Sequence, residues 1–381
     1  MLSRAPLATL VLSALAGCAG SSPAPAPAPP APVVEPVPVA GRPSSWRLHL
    51  LDVGTGLAVL VRGDDFSLLY DGGSNDDRAL GPDNRLLAYL HRLLGRSGGA
   101  HCRPDGGEAP ERRLNHLVLS HPHRDHVSLL PDVVGCFAVA NAWEPGAKSN
   151  GQAYRAFLNA LSRERGLVYH TARPPPQNHR LRTRDDEFEM RSWRRVRELE
   201  VIPLGRSARA TVLSARHEVH DLNDASLVLR LDLGRASVLL TGDATGGDRA
   251  DPNEEPARGS VEHHLLARHR ERIDVDILQV AHHGSRTSSR TRFLDAVSPS
   301  WALLSSGPMR YGEVTLPDPD VVDELDRRGI TVLRTDADDE ACQTRADKTG
   351  AAADGRPGGC SDFTLRIDEF GTIELEVPDD M

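Results

Sequence analysis

The run His121-Pro122-His123-Arg124-Asp125-His126 stands directly behind the apolar segment NHLVLS, residues 115–120. A short apolar run of this kind reads as a buried strand, His116–Ser120, and a loop leaving its end can aim several side chains at one point. Neutral imidazoles and a carboxylate are the donors that divalent transition metals prefer. Side chains two residues apart point the same way in extended chain, so His121 and His123 can grip one ion. Asp125 and His126 then face a second position. This clustering constrains the fold strongly, because the strand has to end at the floor of a cleft and other segments have to bring the remaining donors there.

Two later segments can do so. Val238–Thr241 is an apolar strand ending in Gly242-Asp243, and a carboxylate at a strand end beside two cations is placed to bridge them. Ile277–Ala281 reads as a strand ending in His282-His283-Gly284-Ser285. One of these two histidines can serve the second ion; the residues alone leave open which, and the other is a substrate contact or a core histidine.

The chain has 381 residues, 39% of them hydrophobic, which is enough for a sizeable core. That excludes a mainly disordered chain, and no apolar run reaches the ~18 residues that a membrane-spanning helix needs. The formal net charge of −9 argues against a broad face for non-specific nucleic-acid binding. Residues 1–18 read as an export signal, with Arg4 ahead of a short apolar stretch from Leu7 to Leu15. The signal ends Leu15-Ala16-Gly17-Cys18, which resembles the lipobox of bacterial lipoproteins, so Cys18 is expected to carry lipid and anchor the chain to a membrane. No Asp follows Cys18, so the expected address is the cell envelope, at the outer membrane. Residues 19–45 are rich in Pro and Ala and read as an extended spacer; residues 46–381 read as the folded domain. The remaining cysteines, Cys102, Cys136, Cys342 and Cys360, are even in number, as suits an oxidising compartment. Cys342–Cys360 and Cys102–Cys136 are natural pairings, although four free thiols fit the sequence as well.

Strand patterns cover Arg47–Asp52, Ala58–Arg62, Ser67–Asp71, Thr211–Ser214, Ser226–Leu233 and Ser237–Leu240. Helical patterns cover Asn84–Gly95 and Tyr154–Gly166. Beyond these, Val261–Arg268, Arg292–Val297 and Val321–Arg328 read as helices alternating with strands at Ile277–Ala281, Trp301–Ser305 and Thr331–Arg334. A final hairpin is expected from Phe363–Ile367 and Thr372–Val377. Residues 172–198 read as irregular, with eight Arg from Arg173 to Arg197 against four acids. Strands grouped first and helices alternating with strands later suit two packed sheets covered by helices.

Taken in order, LDVGTGLAVLV from Leu51, Asp71-Gly72-Gly73, HPHRDH, NDASLVL from Asn223, LLTGD and HHGS resemble the metallo-β-lactamase superfamily, and within it the hydrolase domain of the DNA-internalisation competence protein ComEC. The resemblance implies an α/β (α+β) fold, an αββα sandwich of two mixed β-sheets flanked by helices, with a two-metal site at one edge. It assigns His121 and His123 to one ion, Asp125 and His126 with His282 or His283 to the other, and Asp243 to a bridge. Asp71 is expected to orient the metal loop, Asn223 and Ser226 to contact substrate or shape the cleft, and Ser285 to lie beside them. A third ligand for the first ion is open between His217, His220 and neither. Thr55 and Leu57 depart from the family's Gln and Asp, and Leu316-Pro317 stands where the family has a His-Pro after Tyr311-Gly312.

Two cations would lower the pKa of a water and polarise a phosphoryl or carbonyl oxygen. The donor set suits Zn²⁺ ahead of Mn²⁺. The expected activity is hydrolysis of a phosphodiester, with DNA among the candidate substrates and Asp125 and Asp243 as the acting carboxylates. Hydrolysis of another ester or amide (a phosphocholine ester, lactone or β-lactam) is the second reading, and a metal-loaded binding module without turnover is the third.

Overall fold

The segment Leu57–Val61 is apolar at every position because both of its faces are covered. Val59 and Val61 join Trp46, Leu48, Leu50, Leu68 and Tyr70 in a core shared with Leu229, Leu231, Val238 and Leu240. Leu60 and Leu69 point the opposite way, into a second cluster with Leu86, Leu90, Leu130, Phe157 and Leu158. A strand buried on two sides loses the polar–apolar alternation of a surface strand. The chain therefore builds layers, helix against sheet and sheet against sheet.

The structure is a computed structural model and describes residues 44–95, 112–174 and 180–376. The signal segment, Cys18, most of the spacer and Cys102 lie outside the described residues. The first sheet has nine strands in the order Ile373–Glu376, Phe363–Asp368, Ser45–Leu50, Val59–Arg62, Ser67–Tyr70, Arg113–Val118, Ala138–Glu144, Val168–Thr171, Trp193–Arg195. Its first five strands pair antiparallel and the rest parallel. The second has seven, in the order Val201–Leu204, Ala208–Ser214, Val228–Leu233, Ala236–Leu240, Ile277–Gln279, Trp301–Leu304, Thr331–Arg334, antiparallel through the fourth and parallel beyond it. A third cluster, with Leu239, Leu278 and Leu304 from the sheet and Leu265, Phe293, Leu294 and Leu325 from helices, covers the outer face of this second sheet. The result is the αββα sandwich.

Helix Arg85–Leu94 starts where the Asn84 side chain accepts the Leu87 N–H at 3.1 Å and stops at Gly95, whose φ is +81°. Cys342 and Cys360 are disulfide-bonded to each other. Cys136 is disulfide-bonded as well, and its expected partner Cys102 is outside the described residues. No helix among the described residues is long and apolar enough to cross a membrane.

One expectation is corrected outright. Residues 180–195 are not irregular: Arg180–Arg182 and Glu187–Glu189 form a hairpin, and Trp193–Arg195 closes the edge of the first sheet. The apolar residues Leu181, Phe188, Met190 and Trp193 seat the segment on the first-sheet core. Two of its arginines, Arg180 and Arg182, reach Glu187, and its acids Asp185 and Asp186 bond Arg155 of the helix Gln152–Arg163.

Candidate metal centre

The metal loop begins where strand Arg113–Val118 ends, and two other strand-end loops hold its backbone. Leu57 donates its N–H to the Asp125 carbonyl at 3.0 Å, and Gly72 donates to the His126 carbonyl at 2.8 Å. The approach is so close that a Cβ on Gly73 would sit 2.4 Å from the Asp125 carbonyl carbon and the His126 nitrogen. A Cβ on Gly56 would sit 2.1 Å from the Gly73 carbonyl oxygen. The glycines of GTG and DGG are thus required by proximity.

Asp71 is fully buried at φ +60°, a left-handed conformation that Asp tolerates better than most residues. One carboxylate oxygen accepts the Ser120 N–H at 2.6 Å; the other accepts the Ser120 hydroxyl at 2.6 Å and faces His126 Nδ1 at 2.8 Å. Occupying Nδ1 fixes the ring and turns Nε2 inward, the arrangement by which a carboxylate orients a metal-binding histidine. Burial pushes the Asp71 carboxyl up, against the pull of His126 and Ser120. Burial alone would lower His126, yet Asp243 and Asp71 on its two sides hold its imidazole well above the usual range. A cation entering here would supply positive charge to the same two carboxylates.

Two donor sets lie side by side. His121, His123 and Asp243 offer ligand atoms within 4.8 Å of one another, and so do Asp125, His126 and His283. Asp243 reaches both: its Oδ2 is 3.7 Å from His121 Nε2 and 3.8 Å from His283 Nε2, and its Oδ1 is 3.2 Å from His126 Nε2. Burial raises the Asp243 carboxyl, but the adjacent His126, His283 and His282 outweigh it and hold it well below the carboxylate range.

The Nε2 atoms of His126 and His283 and Oδ1 of Asp243 are buried without a hydrogen-bond partner. Orphaned donors and acceptors cost about 1–3 kcal/mol each, so a set of them converging on one point fits divalent cations.

The histidine pair divides in role. His283 is buried, and its Nδ1 is tied to the Ser305 carbonyl at 2.8 Å, so Nε2 faces Asp125 Oδ2 at 3.7 Å. His282 lines the cleft, with Nδ1 on the Thr287 hydroxyl at 2.6 Å and Nε2 at 3.4 Å from Asn223 Nδ2. Both adopt positive φ, +50° and +53°, and are followed by Gly284 at +76°. Strand Ile277–Gln279 therefore stops two residues earlier than its apolar pattern suggests, and the left-handed turn aims both rings at the centre.

Ser226 Oγ accepts the Asp243 N–H at 3.0 Å and so shapes the site from beneath it. Ser285 Oγ accepts from Arg249 at 3.2 Å, and Arg249 is clamped to Asp318 at 2.6 and 2.9 Å. His217 and His220 are not brought to the centre; they border a separate hollow with Lys148 and Arg173. The third potential donor within reach of His121 and His123 is Asp243.

Gln279 and Asn75 carried no signal strong enough to single them out in the sequence, and Tyr311 was marked there only as part of Tyr311-Gly312, without a role at the site. Gln279 is buried, and its carboxamide satisfies the backbone of the turn that carries Asp243. Tyr311, in the hairpin of Arg310–Tyr311 with Val314–Thr315, donates its hydroxyl to Asp125 Oδ2 at 2.8 Å across the mouth of a cleft of about 510 Å³. Its partner Asn75 donates to the same oxygen at 3.2 Å. A polar residue at the end of a strand was the hint available for Gln279; the place of Tyr311 depends on a loop folding back over the site.

The profile of the metallo-beta-lactamase superfamily matches residues 51–307. The chain belongs to this superfamily. Among its superfamily relatives is Recombination protein 2 of Haemophilus influenzae, 29% identical over 76% of this chain and 28% of that protein. Competence protein ComA of Neisseria gonorrhoeae is 28% identical over 75% of this chain and 30% of that protein. The match thus spans less than a third of either relative. A solved structure of the metallo-beta-lactamase fold protein YhfI from Bacillus subtilis aligns with 75% of this chain and 95% of its own, at 13% identity and a TM-score of 0.38. The superfamily fold usually holds divalent metals, and this chain retains both donor sets.

Proposed function

We propose that this superfamily member is an exported, lipid-anchored hydrolase that uses two divalent cations, Zn²⁺ ahead of Mn²⁺, to cleave phosphodiesters, with DNA as the macromolecular substrate class. The observation that carries the reading is the pair of donor sets sharing Asp243, in which His126 Nε2, His283 Nε2 and Asp243 Oδ1 are buried without a hydrogen-bond partner.

His121 and His123 would hold one ion and Asp125, His126 and His283 the other, with Asp243 between them. Bound there, the ions would supply an acidified water and charge stabilisation at the phosphoryl oxygens. The protein's own groups then do the rest. Asp71 keeps His126 in one tautomer. Asp243 accepts a hydrogen bond from the attacking water and orients it. Tyr311 and Asn75 fix the Asp125 carboxylate, and His282 with Asn223 forms the wall that meets the substrate. No covalent enzyme intermediate is needed.

Substrate class is supported by charge. Arg124 lines the cleft, as does Arg249, whose guanidinium is paired with Asp318. The neighbouring hollow, bounded by Leu222 next to Asn223, carries Lys148 and Arg173, and Arg173 and Lys148 continue into a further recess with Arg182 and Arg184. Such a trail suits a chain of phosphates leaving the cleft. The names of the recombination and competence relatives point the same way. Anchorage by lipid at Cys18 rests on the Leu15-Ala16-Gly17-Cys18 sequence.

The test is hydrolysis by the purified full chain loaded with Zn²⁺ or Mn²⁺, against bis-nitrophenyl phosphate, plasmid DNA, nitrocefin and a lactone. Phosphodiester turnover lost in His123→Ala and Asp243→Ala supports the reading. Turnover confined to nitrocefin or the lactone, or unchanged in those variants, overturns it.

A further inference from the structure

A second, separate group of potential metal donors gathers at the crossover between the two sheets. Glu198 sits in the link between Trp193–Arg195, the edge of the first sheet, and Val201–Leu204, the edge of the second. His264 is in helix Val261–Arg268, and His269 is the residue that closes that helix, its N–H donating to the Leu265 carbonyl at 2.8 Å. Five residues along a continuous helix would set the two rings apart; the break at His269, with φ −134° and ψ 21°, brings them to 5.4 Å between centroids. None of the three lines the cleft described above.

We propose that Glu198, His264 and His269 form a structural site for a divalent transition ion, Zn²⁺ by its donor set, which staples the sheet-to-sheet crossover to helix Val261–Arg268. His264 Nε2 is 2.9 Å from Glu198 Oε1, and His269 Nε2 is 3.6 Å from Glu198 Oε2. The longer separation exceeds a hydrogen bond. Zn–N and Zn–O bonds of about 2.0–2.2 Å at tetrahedral angles put neighbouring donors about 3.3–3.5 Å apart, and the two observed separations bracket that spacing. His269 is 5% exposed, and neither of its ring nitrogens has a hydrogen-bond partner; His264 Nε2, although close to Glu198, is not aligned for a hydrogen bond either. A buried imidazole with no partner at either nitrogen is costly unless something binds it. Arg216, which lies near His264, is committed to the carbonyl oxygens of Gly259 and Ser260 at 2.6 and 3.5 Å. Glu198 is partly exposed, which gives an ion a way in and a solvent-facing fourth position.

The site is independent of the reading of the cleft, and its test counts metal rather than turnover. The full chain with the central donors removed by His121→Ala, His123→Ala and His283→Ala is equilibrated with Zn²⁺, filtered free of excess metal and analysed for zinc. One ion per chain is expected to remain, and to disappear when Glu198→Gln and His269→Asn are added. The neighbouring substitution His263→Ala leaves it in place. The same comparison in the otherwise unaltered chain, with circular dichroism to verify folding, should read a loss of one ion. No zinc in the chain lacking the central donors, or zinc undiminished by Glu198→Gln with His269→Asn, overturns the proposal.

Discussion

The carboxamide of Gln279 closes a two-way pair with Gly242: its oxygen accepts the Gly242 N–H at 2.7 Å, and its nitrogen donates to the Gly242 carbonyl at 3.2 Å. The same oxygen accepts the Thr241 N–H at 2.8 Å. One side chain on the strand before the histidine turn thereby sets the backbone of the turn bearing Asp243. Gln279→Leu preserves volume but leaves two buried N–H groups without acceptors, a loss of about 2–6 kcal/mol at about 1–3 each. Urea unfolding of the metal-free chain measures this, and bound metal per chain is expected to fall with it.

Proximity makes a sharper case at Gly73. An added Cβ would meet the Asp125 and His126 backbone at 2.4 Å, and backbone cannot swing aside. Gly73→Ala is expected to cost at least about 2 kcal/mol and to empty the centre of metal. Gly135, in helix Leu130–Cys136, is the opposite case: a methyl group there would meet nothing within 4 Å, so Gly135→Ala should stabilise by about 0.5–1 kcal/mol. Thermal melts of the two variants should move in opposite directions.

Tyr311→Phe removes the hydroxyl that bonds Asp125 and nothing from the core. Outer hydrogen bonds to a metal-binding carboxylate are typically worth about 10- to 100-fold in activity or metal affinity. The variant should lose that much in kcat/KM or zinc affinity, with its melting temperature unchanged.

Lys148 and Arg173 border the recesses beside the cleft rather than the metal centre. Replacing both with Ala should weaken DNA binding and lower the salt slope of log affinity by about 0.9 per lost phosphate contact on duplex. Hydrolysis of a small phosphodiester, which reaches no further than the cleft, should be unaffected. Titration of binding against salt separates the two effects.

Glu262 is buried in helix Val261–Arg268, where its carboxylate accepts the Ser289 N–H and, at 3.3 Å, the Arg290 N–H. Burial pushes its carboxyl up from 4.5 to about 8; the Arg290 guanidinium that faces it only partly offsets this, being turned to the carbonyls of Asp248 and Asp251. Between those two values the folded chain holds a proton that the unfolded chain has lost. Stability therefore falls as pH rises, by up to about 1.4 kcal/mol per pH unit from this group. Burial raises Asp362 to about 6 and Asp339 to about 7, which adds slope of the same sign. Urea midpoints at about pH 5.5 and about pH 7.5 should differ less in Glu262→Gln than in the parent.

The parts of the fold that were legible are those whose pattern is local. Helix Val261–Arg268 and strand Thr331–Arg334 have the bounds their periodicity indicates. The candidate donors stand out in the sequence because they are crowded into a few residues at strand ends, and the structure brings them together. Ala138–Glu144 escaped because its sequence, AVANAWE, is poor in strand formers; pairing with strands on both sides makes it extended. The hairpin at Arg180–Glu189 offers one inward apolar residue per strand, Leu181 and Phe188, too few to show alternation among its charges. The choice between His282 and His283 was unreadable for another reason: it turns on a left-handed backbone and on the Ser305 carbonyl, which comes from a different strand end.

The pairing of Ser45–Leu50 with Phe363–Asp368 has a kinetic consequence. Ser45 lies opposite Asp368, and Leu50 opposite Phe363, so the earlier strand waits for one that follows it by more than 300 residues of chain. Until then its open edge is exposed beside Val59–Arg62. Closure of that sheet is a late, chain-length-limited event, and high contact order of this sort slows folding more than any local element can hasten it.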